Sequence, residues 1–166
     1  MEMKISMRNH LYKVARLEKG YKCIVCPRNS ELKLIEFGRL FLSDKAEMYS
    51  GETGYKEAVL TIFGGRCSLN IEGINGQKVR YEMIGERADV FSGKPTMVYL
   101  PREVRYDVVA EAPSLDMGIS MAPSNVEWPP ALVKPEDIAE RSVGVSNWRR
   151  DVYTAIGDNV KADRLM

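Results

Sequence analysis

Apolar and polar residues alternate with a period of two across most of this chain, from about residue 32 to residue 121. In CSLNIEG, the apolar residues Cys67, Leu69 and Ile71 occupy alternate positions, and SLDMGISMAP further along repeats the pattern. Successive side chains of a strand point to opposite faces, so each run predicts a half-buried β-strand. Glycine and proline separate the runs at short intervals. The pattern therefore predicts an all-β fold, an antiparallel sandwich or barrel.

The composition of the sequence changes after Pro123, where prolines become frequent and the alternation of apolar and polar residues stops. Pro135 precedes two acidic residues, a composition typical of the first turn of a short helix. Apolar residues at every fourth position in 148–156 indicate a second, weakly amphipathic helix. We therefore predict a β-barrel with N-terminal strands at residues 1–122 and, at residues 123–166, an arm with one or two short helices.

Charge and composition exclude several classes of partner. The 24 basic and 23 acidic side chains nearly cancel, so no positive field attracts nucleic acid. The N-terminus lacks the apolar core of a signal peptide, and no apolar stretch could span a bilayer. An odd number of cysteines fits a reducing compartment. We therefore expect a cytoplasmic protein that binds neither nucleic acid nor membranes.

Cys23 and Cys26 form a C-x-x-C motif in YKCIVCPRN. Such a pair is found in redox sites and in half of a structural zinc site, but zinc requires a second pair of ligands. Only Cys67 and His10 remain in the chain, both distant in sequence. The ordinary interpretation, two half-buried thiols, is therefore favoured over a redox pair.

The stretch VYLPREVRYDV, residues 98–108, indicates two strands that meet at Pro101. Together with Glu57, which is separated by six residues from Gly64, this turn resembles the two motifs of the cupin superfamily. The resemblance implies a cupin-type antiparallel β-barrel, a jelly roll. Cupin motifs carry metal-binding histidines, but Tyr106 stands at the histidine position of the second motif.

Longer segments resemble the N-terminal half of the 5-deoxy-glucuronate isomerase family. These segments, which cover most of the chain from about residue 50 onward, are GERADVFSGKPTMVYLP, PALVKPEDI, NWRRDV and NVKADRLM. The resemblance implies two fused cupin barrels, with a divalent metal held by the second barrel. This chain would then contain only the first barrel.

The residues of the first motif also argue against a metal in this barrel. A cupin's first motif has a His-x-His pair shortly before its glutamate, which here corresponds to Gly51 and Thr53 or to Ser50 and Glu52. None of these residues is histidine, and catalytic metal sites take about three protein ligands. We therefore expect no metal and no cofactor in this chain, and no isomerase activity from this chain alone.

Four side chains remain candidates for binding a small sugar acid in the barrel interior. Glu57 and Tyr106 would lie on facing strands, and Arg87 or Arg105 could hold a carboxylate through two parallel hydrogen bonds. Each also has a structural interpretation. Glu57 would be a paired carboxylate at a strand edge, and Tyr106 a core tyrosine with a hydrogen-bonded hydroxyl. Arg87 and Arg105 would lie in solvent or in salt bridges.

Two functions follow as hypotheses. The chain is the structural, metal-free half of a sugar-acid isomerase of inositol catabolism, or it is a free-standing cupin that binds a sugar acid or another small carboxylate. Self-association as a homodimer is expected in either case, because the apolar pair Leu165-Met166, Trp128 and Trp148 would otherwise be exposed.

Overall fold

The computed structural model describes Tyr12 and residues 18–166. Twelve strands and two short 3-10 turns make up the regular structure of these residues. The strands are β1 Gly20–Val25, β2 Glu36–Leu42, β3 Met48–Glu52, β4 Lys56–Gly64, β5 Cys67–Gly73, β6 Lys78–Ile84, β7 Met97–Leu100, β8 Val104–Ala110, β9 Leu115–Pro123, β10 Ala131–Val133, β11 Ala139–Val143 and β12 Arg150–Thr154.

Two antiparallel sheets face each other and enclose the main core. One has six strands in the order β1-β2-β9-β4-β7-β10, and the other has four in the order β3-β8-β5-β6. The alternate apolar residues of both sheets fill the space between them, among them Leu40, Leu60, Leu69, Val108 and Ile119. The all-β antiparallel fold predicted from the alternation is thereby confirmed.

Strand β4 is buried on both of its faces. Ala58, Leu60 and Ile62 point into the space between the sheets, whereas Glu57 and Val59 point to the outer side of the six-stranded sheet. There a second apolar cluster, the outer cluster, covers the sheet. Its buried members are Val59, Tyr99, Val133, Ile138, Ile156 and Val160. The segment after β9 thus forms a layer over one face of the barrel.

The structure of this C-terminal segment is only partly as predicted. The turn expected at Pro135 is present as a 3-10 turn, Pro135–Asp137, in which the Asp137 carboxylate accepts the Lys134 N–H at 2.9 Å. The helix expected across 148–156 is wrong, because β12 pairs with β11 as an antiparallel hairpin. β12 contains β-branched and aromatic residues, which favour a strand once a partner strand is available.

The exposure expected of the chain's apolar residues is also partly wrong. Trp128 and Leu165 pack against the outer cluster, and the Lys161 ammonium lies 4.9 Å from the centre of the Trp128 ring. Trp148 and Met166 remain 76% and 75% exposed. Within the residues described, no helix has the length and apolar character needed to cross a membrane.

Candidate functional site

The histidine positions of the two cupin-like motifs are neighbours across the β3–β8 ladder. Gly51 pairs directly with Tyr106, and both face the interior, whereas Glu52 and Ser50 belong to the outward-facing set of β3. A Cβ atom on Gly51 would lie only 2.6 Å from the Cζ and Oη atoms of Tyr106. The phenol of Tyr106 therefore fills the space that a side chain at residue 51 would occupy.

Three tyrosines form an aromatic cluster at this end of the interior. The Tyr49 ring centroid lies 5.7 Å from that of Tyr21 and 6.3 Å from that of Tyr106. Burial raises the pKa of all three phenols above the ordinary value of 10.0. They stay protonated at neutral pH and are poor metal ligands.

The residues at these positions do not fit a divalent metal. Gly51 supplies no ligand, and the Thr53 hydroxyl already accepts the Val104 N–H at 3.0 Å. A catalytic metal site takes about three histidine, cysteine or carboxylate ligands. Among the residues that the structure describes, no group of three such side chains could hold an ion. His10, the single histidine of the sequence, lies outside the described residues.

Glu57 does not face the interior, so its predicted place opposite Tyr106 is wrong. The alternation of β4 directs Ala58 inward and Glu57 outward, where it is fully buried beneath the C-terminal segment. Its Oε2 atom accepts the Tyr99 hydroxyl and the Asp163 N–H, both at 2.9 Å. Its Oε1 atom accepts the N–H groups of Arg164 at 2.5 Å and Leu165 at 2.8 Å.

The two arginine candidates lie in two further places. Arg87 donates from Nε to the Ile62 carbonyl at 3.1 Å and from Nη1 to the Gly93 carbonyl at 3.0 Å, and partial burial lowers its pKa. Arg105 lies on the outer face of β8, opposite Glu52 and Glu72. There it lines a surface concavity of about 430 Å³ together with Lys78 and Arg80.

The structure therefore does not bring the four candidates together, and ligand binding by any of them stays a prediction. Sequence reasoning missed Tyr99, the tyrosine cluster and the backbone amides of 163–165 as partners of the candidate residues. One signal could have indicated the position of Glu57. The run EAVLTIF in β4 is apolar at consecutive positions, which is typical of a strand buried on both faces.

Two facing antiparallel sheets and the motif positions paired across β3 and β8 define a cupin-type barrel. The chain belongs to the KduI/IolB family, which matches residues 10–166. It is 28% identical over 148 residues to 5-deoxy-glucuronate isomerase from Halalkalibacterium halodurans, an alignment that covers 87% of this chain and 52% of that protein. The chain thus spans about half the length of the curated relatives it matches.

Solved structures agree on the fold. The crystal structure of an IolB-like protein from Salmonella typhimurium LT2 superposes with a TM-score of 0.77 at 23% identity, over 89% of this chain and 54% of that one. A variant of Bacillus subtilis oxalate decarboxylase has a TM-score of 0.51 at 12% identity, over 68% of this chain and 28% of that one.

Proposed function

We propose that this chain is a structural, metal-free cupin half of a 5-deoxy-glucuronate isomerase-like protein of inositol catabolism. One observation carries the proposal: the Tyr106 phenol fills the space above Gly51, where the cupin motifs would otherwise place metal ligands. The interior of the barrel is then a packed core that supports a second, metal-bearing barrel. In the family, that second barrel would supply the divalent metal.

The chemistry of the isomerisation supports this assignment. Converting an aldose to a ketose moves a proton between adjacent carbons through an enediolate, which requires a base and an electrophile at one place. In this chain, the Glu57 carboxylate accepts four hydrogen bonds on the outer side of the sheet, and Tyr106 is on the inner side. No candidate base therefore faces a candidate electrophile across a cavity among the described residues.

An activity measurement tests the proposal. The purified chain is incubated with Mn²⁺ or Zn²⁺ and then assayed with 5-deoxy-glucuronate, with a full-length isomerase of the family as the positive control. We expect no turnover above the rate of buffer with metal. Metal-dependent turnover above that rate would contradict the proposal, and a Tyr106→Phe variant would then show whether the activity comes from the barrel interior or from another site of this chain.

A second function has one observation in its favour. The concavity on the outer face of the four-stranded sheet is lined by Arg105, Lys78 and Arg80 together with Glu72 and Asp107. Lys78 and Arg80 have carboxylate partners, and Arg105 is the cation that could hold a ligand carboxylate. A free-standing cupin that binds a sugar acid there would be stabilised by its ligand.

Thermal unfolding with added glucuronate or galacturonate tests this alternative. An increase in Tm that is reduced by Arg105→Gln, but not by Arg149→Gln on the β11–β12 hairpin, would favour the binding function. An unchanged Tm at millimolar uronate would exclude it.

A further inference from the structure

The C-x-x-C motif lies at the end of β1, the edge strand of the six-stranded sheet. Residues three apart in a regular strand point to opposite faces. The β1–β2 ladder has a bulge here, because Cys23 pairs with Gly38 and Val25 already pairs with the next residue, Phe37. The extra residue, Ile24, shifts the alternation by one position. With this shift, the alternation predicts Cys23 and Cys26 on the same face.

The Cys23 thiol lies close to the backbone that leads to Cys26: it donates to the Val25 carbonyl oxygen at 3.8 Å. The two thiols are close enough for each to shift the pKa of the other. The local backbone is fixed by a turn that begins at Cys26. The Cys26 N–H donates to Asn29 Oδ1 at 2.7 Å, and the Cys26 carbonyl accepts the Ser30 hydroxyl at 2.8 Å.

The surroundings of the two sulfur atoms differ. The backbone N–H of Arg28 and then its guanidinium lower the pKa of Cys26 from the ordinary thiol value, against the opposing effect of burial. Burial, followed by the neighbouring Cys26 thiol, raises the pKa of Cys23. Cys26 is therefore the better thiolate of the pair, and Cys23 is placed to react with it.

Cys67, the remaining cysteine, belongs to no such motif and does not share the lowered pKa of Cys26. Cys67 is fully buried in the core between the sheets, and burial raises its pKa to about 12. A zinc site is not supported at the motif, because within the described part of the chain no group of three ligating side chains is present. Dithiol chemistry requires only the two sulfur atoms.

We propose that Cys23 and Cys26 are a redox pair that forms a reversible intrachain disulfide on reaction with hydrogen peroxide. The Cys26 thiolate attacks the peroxide, an S–O bond forms, the O–O bond breaks, and hydroxide leaves and is protonated to water. The Cys23 sulfur then attacks the Cys26 sulfur, the S–O bond breaks, and a second water leaves with the Cys23 proton. Two thiols lose two electrons, and one peroxide becomes two waters.

Thiol counting after a hydrogen peroxide pulse tests the pair. The full chain is treated with peroxide, quenched with catalase, unfolded and labelled with a maleimide. We expect the number of free thiols to fall from three to one, with Cys67 still labelled. The tryptic peptide 23–28 contains both cysteines and should lose two hydrogens. Dithiothreitol should restore both thiols.

Single variants distinguish this pair from unspecific oxidation. In Cys23→Ser, the sulfenic acid of Cys26 should accumulate and react with dimedone, and in Cys26→Ser no pair of thiols should be lost. Arg28→Gln should slow the first step severalfold, because the guanidinium favours the Cys26 thiolate, whereas Lys45→Gln should not. Far-ultraviolet circular dichroism checks that each variant is folded.

Three results would overturn the proposal. They are three free thiols after peroxide treatment, a disulfide formed only between chains, and loss of two thiols in Cys26→Ser. Equal rates for Arg28→Gln and the unchanged chain would contradict Cys26 as the attacking sulfur.

Discussion

The buried carboxylate of Glu57 accepts hydrogen bonds from one phenol and three consecutive backbone amides. A glutamine at this position would direct its NH₂ group at N–H donors and leave some of them unpaired. A buried donor without an acceptor costs about 1–3 kcal/mol, and more where a charged partner is lost. We therefore expect Glu57→Gln to lower the free energy of unfolding by about 3 kcal/mol, measured by urea denaturation.

Tyr99→Phe is the matched control for this change. It removes the one hydrogen bond between the Tyr99 hydroxyl and Glu57 Oε2 but leaves the three amides paired. We expect a loss of about 1 kcal/mol, the usual net value of one hydrogen bond. If Glu57→Gln were no more destabilising than Tyr99→Phe, the carboxylate would not be holding the C-terminal segment.

The phenol of Tyr106 makes the free energy of unfolding depend on pH in alkaline solution. Burial raises its pKa above the unfolded value of about 10, so its contribution to stability is complete below pH 10 and is lost as the pH rises further. The slope is at most about 1.4 kcal/mol per pH unit for one such group. We expect the unfolding free energy of Tyr106→Phe to fall less steeply than that of the unchanged chain between pH 10 and 11.

Urea denaturation at pH 7, 10 and 11 measures these slopes. Tyr55→Phe, which removes the hydroxyl of an exposed tyrosine, serves as the control for loss of a phenol. A Tyr106→Phe slope equal to that of the unchanged chain would mean that the phenol ionises as freely in the folded state as in the unfolded state.

The C-terminal segment is part of the barrel and covers the outer face of the six-stranded sheet. A chain shortened after Ala162 would lose the three amides that Glu57 accepts and the packing of Leu165. We expect a loss of about 3 kcal/mol, because a buried carboxylate is left with one partner. Removal of Met166 alone, which is exposed, should cost almost nothing.

The losses of unfolding free energy caused by Glu57→Gln and by shortening the chain after Ala162 should not be additive. In the chain shortened after Ala162, Glu57→Gln should cost much less than in the full chain, since the amides it would oppose are gone. Additive losses in urea denaturation would contradict the direct contact between Glu57 and residues 163–165.

The strands were predictable because the alternation of apolar and polar residues is a local property of the sequence. The face on which a given side chain lies was not, because one residue of slip or one bulge reverses it. Glu57 is the clearest case: its motif match indicated the interior, but the register of β4 turns it outward. The apolar spacing of 148–156 likewise indicated a helix, because the pairing of β12 with β11 is a tertiary contact that no local pattern contains.

We predict that the protein forms a homodimer. Trp148 and Val145, each 76% exposed, form an apolar tip on the β11–β12 hairpin, and such residues often anchor interfaces. Light scattering at micromolar concentration should give twice the chain mass, and Trp148→Ser should shift the protein toward monomer. Phe91→Ser, a change at another exposed residue, is the control, and a monomeric unchanged chain would contradict the prediction.

The proposed metal-free role depends on a packed barrel interior, in which Tyr106 occupies one metal-ligand position and fills the space above another, Gly51. Elemental analysis of the purified chain, after incubation with Mn²⁺ or Zn²⁺ and extensive dialysis, tests it most directly. We expect far less than one equivalent of either metal per chain. One equivalent retained by the unchanged chain and lost in a Tyr106→Phe variant would show that the interior binds a metal, and would contradict it.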